Sequence, residues 1–177
     1  MAVIQVHDKS FETYLSDTVI QKRVKELAMA INTDYAGKKP LFIAILNGSF
    51  MFASDLFKNL DIEAELCFIK LASYKGMKSS GKVVTSIGLE EDLFGKEVII
   101  VEDIVDTGKT LHRFLPKLVH QQPKSLKIAA FLHKPEATEY PLTLDYVGFE
   151  IPNKFVVGYG LDYDGLGRNL KEIYQLI

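Results

Sequence analysis

Two apolar runs of strand length, LFIAIL at 41–46 and VIIV at 98–101, each break into a turn and then into a helical pattern. That alternation constrains the fold more than any other feature. A strand without a polar face has to be covered on both sides, which is the condition of a parallel sheet sandwiched by helices. After the first run, Asn47-Gly48-Ser49 interrupts and FMFASDLFKNL resumes at helical spacing; after the second, EDIVDTGKT leads into GKTLHRFLPKLVHQ. Another helix is expected in DTVIQKRVKELAMAINTDYAG, where Ile20, Val24, Leu27 and Ile31 recur on one face, Ser16 caps the start and Gly37 supplies the stop. Pro116 lies too far into its helix for the first turn and predicts a kink or an early end.

IEAELCFIKLASY, with Glu63 and Glu65 alternating against Ala64 and Leu66, reads as a half-buried strand, and VVTSIG, SLKIAAFL, DYVGFEI, KFVVGYG and EIYQLI as further strands. YKGMKSSGK carries no periodicity and reads as a loop. The pattern as a whole predicts an α/β fold: a mainly parallel twisted sheet flanked by helices, with right-handed crossovers.

At 177 residues and 47% hydrophobic content the chain suffices for one sizeable core, so a single domain over 1–177 is expected. The net charge of −2 gives no general basic field, which disfavours a nucleic-acid partner. No segment approaches the roughly 18 apolar residues of a membrane span, and MAVIQVHDKS lacks the pattern of a leader, so a soluble cytoplasmic protein without a membrane partner is expected. Cys67, the only cysteine, sits in an alternating stretch and reads as a small core residue. The four histidines show no metal-ligand spacing, and zinc is not expected.

The segment VEDIVDTGKT sets Glu102, Asp103 and Asp106 against Thr107-Gly108-Lys109-Thr110. At the carboxyl end of a parallel strand, the turn amides of 107–110 and the two threonine hydroxyls form a cup for a terminal phosphate, and Gly108 permits the close approach. An ATP loop of the form G-x-x-x-x-G-K-[ST] needs glycine at position 103, where this chain has Asp103. The cup therefore suits one phosphate, and Glu102 and Asp103 suit vicinal sugar hydroxyls or a hydrated magnesium ion. Ribose 5-phosphate satisfies every group, with Asp106 near the reacting end as a proton acceptor. The bland alternative is an acidic turn that caps a helix through Asp106 or Thr107.

This segment resembles the phosphoribosyl-pyrophosphate motif of type I phosphoribosyltransferases, and its surroundings resemble the hypoxanthine-guanine branch, over nearly the whole chain from about Phe42 onward. ILNGSF is similar to the family's first pyrophosphate loop and LASYKGMKSSGKV to its flexible catalytic loop, with Ser73 and Tyr74 as the lid pair. The resemblance implies pyrophosphate binding by Leu46, Asn47, Gly48, Lys70 and Arg168, although Asn47 stands where the family often has lysine. It implies phosphoribosyl binding by Glu102, Asp103, Asp106, Thr107, Gly108, Lys109 and Thr110, with Asp106 catalytic. It further implies purine binding by Lys134, Phe155, Val156 and Asp162, and magnesium held by Asp162, Glu102 and Asp103.

The family's fold has a small hood built from the terminal segments, and its members are homodimers or homotetramers. The expected substrates are 5-phosphoribosyl-1-pyrophosphate and a 6-oxopurine base, hypoxanthine and also guanine. Two other functions suit parts of the chain: a nucleotide-sensing regulator on the same fold, and a magnesium-binding signalling domain phosphorylated at a strand-end acid. The first calls for a basic stripe and lost base contacts, and the second leaves 107–110 and the lid without a purpose.

Overall fold

The computed structural model describes residues 2–72 and 84–177. In chain order the elements are β1 (Val3–Val6), β2 (Lys9–Leu15), α1 (Asp17–Asp34), β3 (Leu41–Leu46), α2 (Phe50–Lys58), β4 (Glu65–Ala72), β5 (Val84–Ile87), β6 (Glu97–Val105), α3 (Lys109–Val119), β7 (Ser125–His133), β8 (Tyr146–Glu150), β9 (Val156–Val157) and β10 (Ile173–Leu176). A single 3-10 turn, Pro135–Ala137, follows β7.

The larger sheet has the order β5-β4-β3-β6-β7-β8 and is parallel apart from β5. The strictly alternating pleat sends neighbouring residues to opposite faces. Phe42, Ala44, Ile99 and Val101 pack with Ile20 and Val24 of α1 and Phe52 and Leu56 of α2. Leu41, Ile43, Val98 and Ile100 pack on the other face with Leu111, Phe114 and Leu118 of α3. The unbroken apolar runs thus serve two cores at once, as the sequence pattern requires.

Pro116 does not end α3, which continues to Val119. An interior proline costs about 3 kcal/mol. Burial of Leu111, Phe114 and Leu118, at about 1.5–3 kcal/mol each, outweighs it. Ser16 occupies the N-cap of α1 with extended backbone, but its side chain makes no capping hydrogen bond. Cys67 is half-buried against the α3-face core, and burial pushes its thiol up to about 11. No helix among the described residues is long and apolar enough to cross a membrane.

Both termini build the smaller antiparallel sheet, β1-β2-β10-β9, around Val6, Phe11, Val157 and Tyr174. This is the expected hood. Its strands β1 and β2 are not among the strands read from the sequence. In KSFETYL only Phe11 is fully buried, and the adjacent Tyr14 and Leu15 break any period of two, so there is little alternation to detect.

The chain leaves β3 through α2 to β4 on one side, and leaves β6 through α3 to β7 on the other. Register between β3 and β6 ends at Ala44↔Val101, so their carboxyl ends separate and open a crevice at the switch point, where sheets of this type bind ligands.

Candidate active site

That crevice is a cleft of about 250 Å³ lined by the 102–111 segment with Ile45, Leu46 and Leu71. Glu102 and Asp103 lie just beyond the last β3–β6 pair. Burial holds both carboxyls above their usual range, and for Glu102 the adjacent Asp103 charge adds to it. The Ile104 amide donates to Asp103 Oδ1 at 2.8 Å, which offsets part of the cost there. Among the described residues neither acid has an ion-pair partner.

The loop 47–49 closes one wall. Ser49 is fully buried and donates its hydroxyl to the Ile45 carbonyl at 2.6 Å. Gly48 lies so close to the Asp103 carboxylate that a Cβ would overlap it, and a Cβ on Gly160 would overlap the Gly48 carbonyl. Asn47 is exposed beside them, and Lys70 pairs in register with Leu46 at the end of β4.

Gly108 is the N-cap of α3, with φ +79 and no side-chain cap. The capping alternative for Asp106 or Thr107 is therefore not realised. The Lys109 amide donates to the Thr107 hydroxyl at 3.3 Å, so this amide, counted in the expected cup, is engaged internally. The amides of Thr110 and Leu111 in the first turn have no intrahelical acceptor, which leaves them, with the Thr110 hydroxyl, for an anion.

Lys134, 6% exposed, places its Nζ 3.4 Å from Asp106 Oδ2, while the Asp106 carboxylate itself is half-exposed. The two residues assigned by the sequence to the purine and to the reacting end thus meet in one ion pair.

Phe155 is 44% exposed, with Phe11 6.2 Å and Tyr163 5.8 Å away by ring centroids. Val156 lies in β9, the edge strand of the hood. The Phe155 carbonyl accepts from the Leu176 amide, so by the alternation of an antiparallel ladder the Val156 main-chain groups point away from β10, to the open edge. Asp162 Oδ1 is 2.6 Å from Arg168 Nη2, and Asp162 Oδ2 accepts the Gly165 amide at 2.8 Å. Arg168 Nη1 donates to the Gly160 carbonyl at 2.8 Å. Ser73 and Tyr74, the expected lid pair, lie outside the described residues.

Two parts of the site have no counterpart in the sequence reading. Tyr159, fully buried at φ +45, donates its hydroxyl to Asp55 Oδ2 of α2 at 2.8 Å and so ties the base segment to the helix after the 47–49 loop. The segment after β7 runs back along 105–108, with the Glu139 and Tyr140 amides donating to the Thr107 carbonyl at 3.1 and 3.0 Å. A buried Tyr between two glycines was the available signal for the first; nothing in ATEYPL announces the second.

The acids that the resemblance assigns to a cation are Glu102, Asp103 and Asp162, and no cluster of three or more His, Cys, Asp or Glu side chains suited to a metal occurs among the described residues. A hydrated magnesium ion needs only one or two carboxylates when substrate phosphates supply the rest. The Glu102–Asp103 pair, without an ion-pair partner among the described residues, fits that requirement; Asp162 already has Arg168.

The family model for the phosphoribosyl transferase domain matches residues 10–164. The hypoxanthine-guanine phosphoribosyltransferase of Aquifex aeolicus is 41% identical over 174 residues, covering 97% of this chain and 98% of its own. The hypoxanthine phosphoribosyltransferase of Buchnera aphidicola is 42% identical over 95% and 97% of the two chains. Among solved structures, a hypoxanthine-guanine phosphoribosyltransferase from Bacillus anthracis, with a HEPES molecule in its active site, superposes with a TM-score of 0.87 at 40% identity, covering 94% of this chain and 96% of that one. A hypoxanthine phosphoribosyltransferase from Staphylococcus aureus gives a TM-score of 0.89 at 40% identity, over 94% and 91%.

Proposed function

The chain belongs to the phosphoribosyltransferase family, and on that premise we propose that it salvages purines, transferring the phosphoribosyl group of 5-phosphoribosyl-1-pyrophosphate to hypoxanthine, and to guanine, with release of IMP or GMP and pyrophosphate. The observation that carries the reading is the convergence at one strand end of an uncapped helix N-terminus, the adjacent acids Glu102 and Asp103 without an ion-pair partner among the described residues, and the Lys134–Asp106 pair.

Thr107, Gly108, Lys109 and Thr110 anchor the 5-phosphate; Glu102 and Asp103 take the ribose hydroxyls. Leu46, Asn47 and Gly48 offer main chain to pyrophosphate, joined by Lys70 and Arg168. Phe155 stacks on the purine and Val156 meets its edge with main-chain groups. Lys134 donates to the six-position, which accepts only if it is a carbonyl and so selects 6-oxopurines over adenine. Asp106 accepts the purine ring proton as the new bond forms. Phosphate and base are held at opposite ends of the sugar, which orients its anomeric carbon for displacement. Glu102 and Asp103 would hold the magnesium, joined by Asp162 only if it gives up Arg168, and the ion's chemistry is to neutralise charge on the pyrophosphate leaving group.

The enzyme acts as one domain over 1–177 in the cytoplasm. Exposed Phe68 and Phe94 support a homodimer or homotetramer. A spectrophotometric assay with phosphoribosyl pyrophosphate, magnesium and each of hypoxanthine, guanine, xanthine and adenine tests the reading. Turnover of hypoxanthine is expected; failure on all four bases would favour the nucleotide-sensing regulator.

A further inference from the structure

After β7 the chain doubles back along the phosphate-binding loop, touching it residue by residue. The Lys134 amide donates to the Val105 carbonyl at 2.9 Å, and the Thr138 hydroxyl lies 3.4 Å from the Asp106 carbonyl. The Glu139 and Tyr140 amides then share the Thr107 carbonyl, and a Cβ on Gly108 would overlap the Tyr140 carbonyl. Within this strip Thr138 is singular. Its hydroxyl is also 3.1 Å from the Lys134 carbonyl and 3.2 Å from His133 Nε2.

A hydroxyl has one proton to donate and two lone pairs to offer. The Lys134 carbonyl, at 3.1 Å, takes the larger share of that proton and the Asp106 carbonyl, at 3.4 Å, the smaller, in a three-centre bond, when Nε2–H of His133 donates to the hydroxyl oxygen. A threonine bonded to the carbonyl four residues back is by itself ordinary turn chemistry. The reach across to Asp106 is not local, because the two residues are 32 apart in sequence. One hydroxyl therefore contacts the main chain of both residues to which base recognition and proton transfer fall.

We propose that Thr138 is a positioning residue, which holds the β7 end carrying Lys134 in register with Asp106 so that both act on the same purine. This rests on the roles given to those two residues above. Lys134 is buried, and its ammonium has Asp106 as its ion-pair partner until a purine carbonyl arrives. A displacement of its backbone by a fraction of an ångström would favour one partner over the other, and sites of this kind lose rate steeply with such displacement.

Steady-state kinetics of Thr138→Val and Thr138→Ser beside the unmodified enzyme test the proposal. With Thr138→Val, kcat/KM for hypoxanthine is expected to fall about tenfold while KM for phosphoribosyl pyrophosphate stays within about twofold. Thr138→Ser, which keeps the hydroxyl, is expected to recover to within about twofold of the unmodified enzyme. Should the valine variant not fold, Thr138→Ala removes the same hydroxyl without adding a group, and the same loss is expected. An unchanged kcat/KM would overturn the proposal, as would a serine variant as impaired as the valine one, or an equal rise in both KM values. If the unmodified enzyme turns over none of the four purines, the functional reading falls and this one with it. An active enzyme with indifferent variants overturns Thr138 alone.

Discussion

Glu102, buried, and Asp103, half-buried, stand at the end of β6 with no ion-pair partner among the described residues, whereas Asp162, after β9, is 2.6 Å from Arg168 and takes the Gly165 amide on its other oxygen. Two acidic regions of the molecule thus live under opposite conditions. Unpaired buried charge is costly, so a chain that keeps it at a cleft has left the partner to be supplied from outside. Charge paired internally serves shape: Arg168 holds the Asp162 carboxylate and the Gly160 carbonyl together. Between the two regions lies Gly48, against Asp103 on one side and Gly160 on the other.

The largest expected effect is at Asp106, the acid of the β6 end that has an internal cation in Lys134. Asp106→Asn keeps the shape and removes the proton acceptor. Turnover is expected to fall about 100- to 10,000-fold with both KM values within a few-fold, as measured by steady-state kinetics. Unchanged turnover would mean that the ion pair positions Lys134 and accepts no proton.

Next in size is the joint between the regions. Gly160 has φ +98 and faces the Gly48 carbonyl, so Gly160→Ala forces both a strained backbone and an overlap with main chain that cannot swing aside. A loss of about 2 kcal/mol is expected, seen as a melting temperature roughly 4–8 °C lower, together with a raised KM for phosphoribosyl pyrophosphate as Asp103 shifts. A stability loss with an unchanged KM would show that the regions do not communicate through Gly48.

The two regions were also unequally legible. LFIAIL and VIIV declare their strands because a doubly covered strand has no polar face, and the acids and Thr107–Gly108–Lys109–Thr110 follow one of them directly in sequence. Local order sufficed there. It did not suffice for the Gly48–Gly160 contact, the Tyr159–Asp55 bond or the 138–140 strip, since each depends on segments that only the fold brings together. Pro116 failed as a stop for a related reason: the packing of Leu111, Phe114 and Leu118 is a tertiary gain that no local rule contains. The N-terminal hairpin was missed because its strands bury too few side chains on one face to show a period.

The smallest effects test the comparison most directly, because they are expected to differ in sign. Glu102→Gln replaces a buried carboxyl that has no cation with an amide of the same shape, which removes a desolvation cost from the ligand-free protein. Its melting temperature is expected to rise by about 2–4 °C, the equivalent of about 1 kcal/mol in a chain of this length. Asp162→Asn instead deprives Arg168 of its partner. That pair is about a third exposed, so solvent screening limits the loss to about 0.5–1 kcal/mol, or roughly 1–4 °C downward. Thermal melts of the two variants without substrate decide the matter. A fall for both would mean that Glu102 is held by its surroundings as Asp162 is, and the β6 end would then be frame and not receptor. A rise for Glu102→Gln, accompanied by a weaker stabilising effect of phosphoribosyl pyrophosphate and magnesium than in the unmodified protein, would show that the unpaired acids trade folding stability for the ligand they receive.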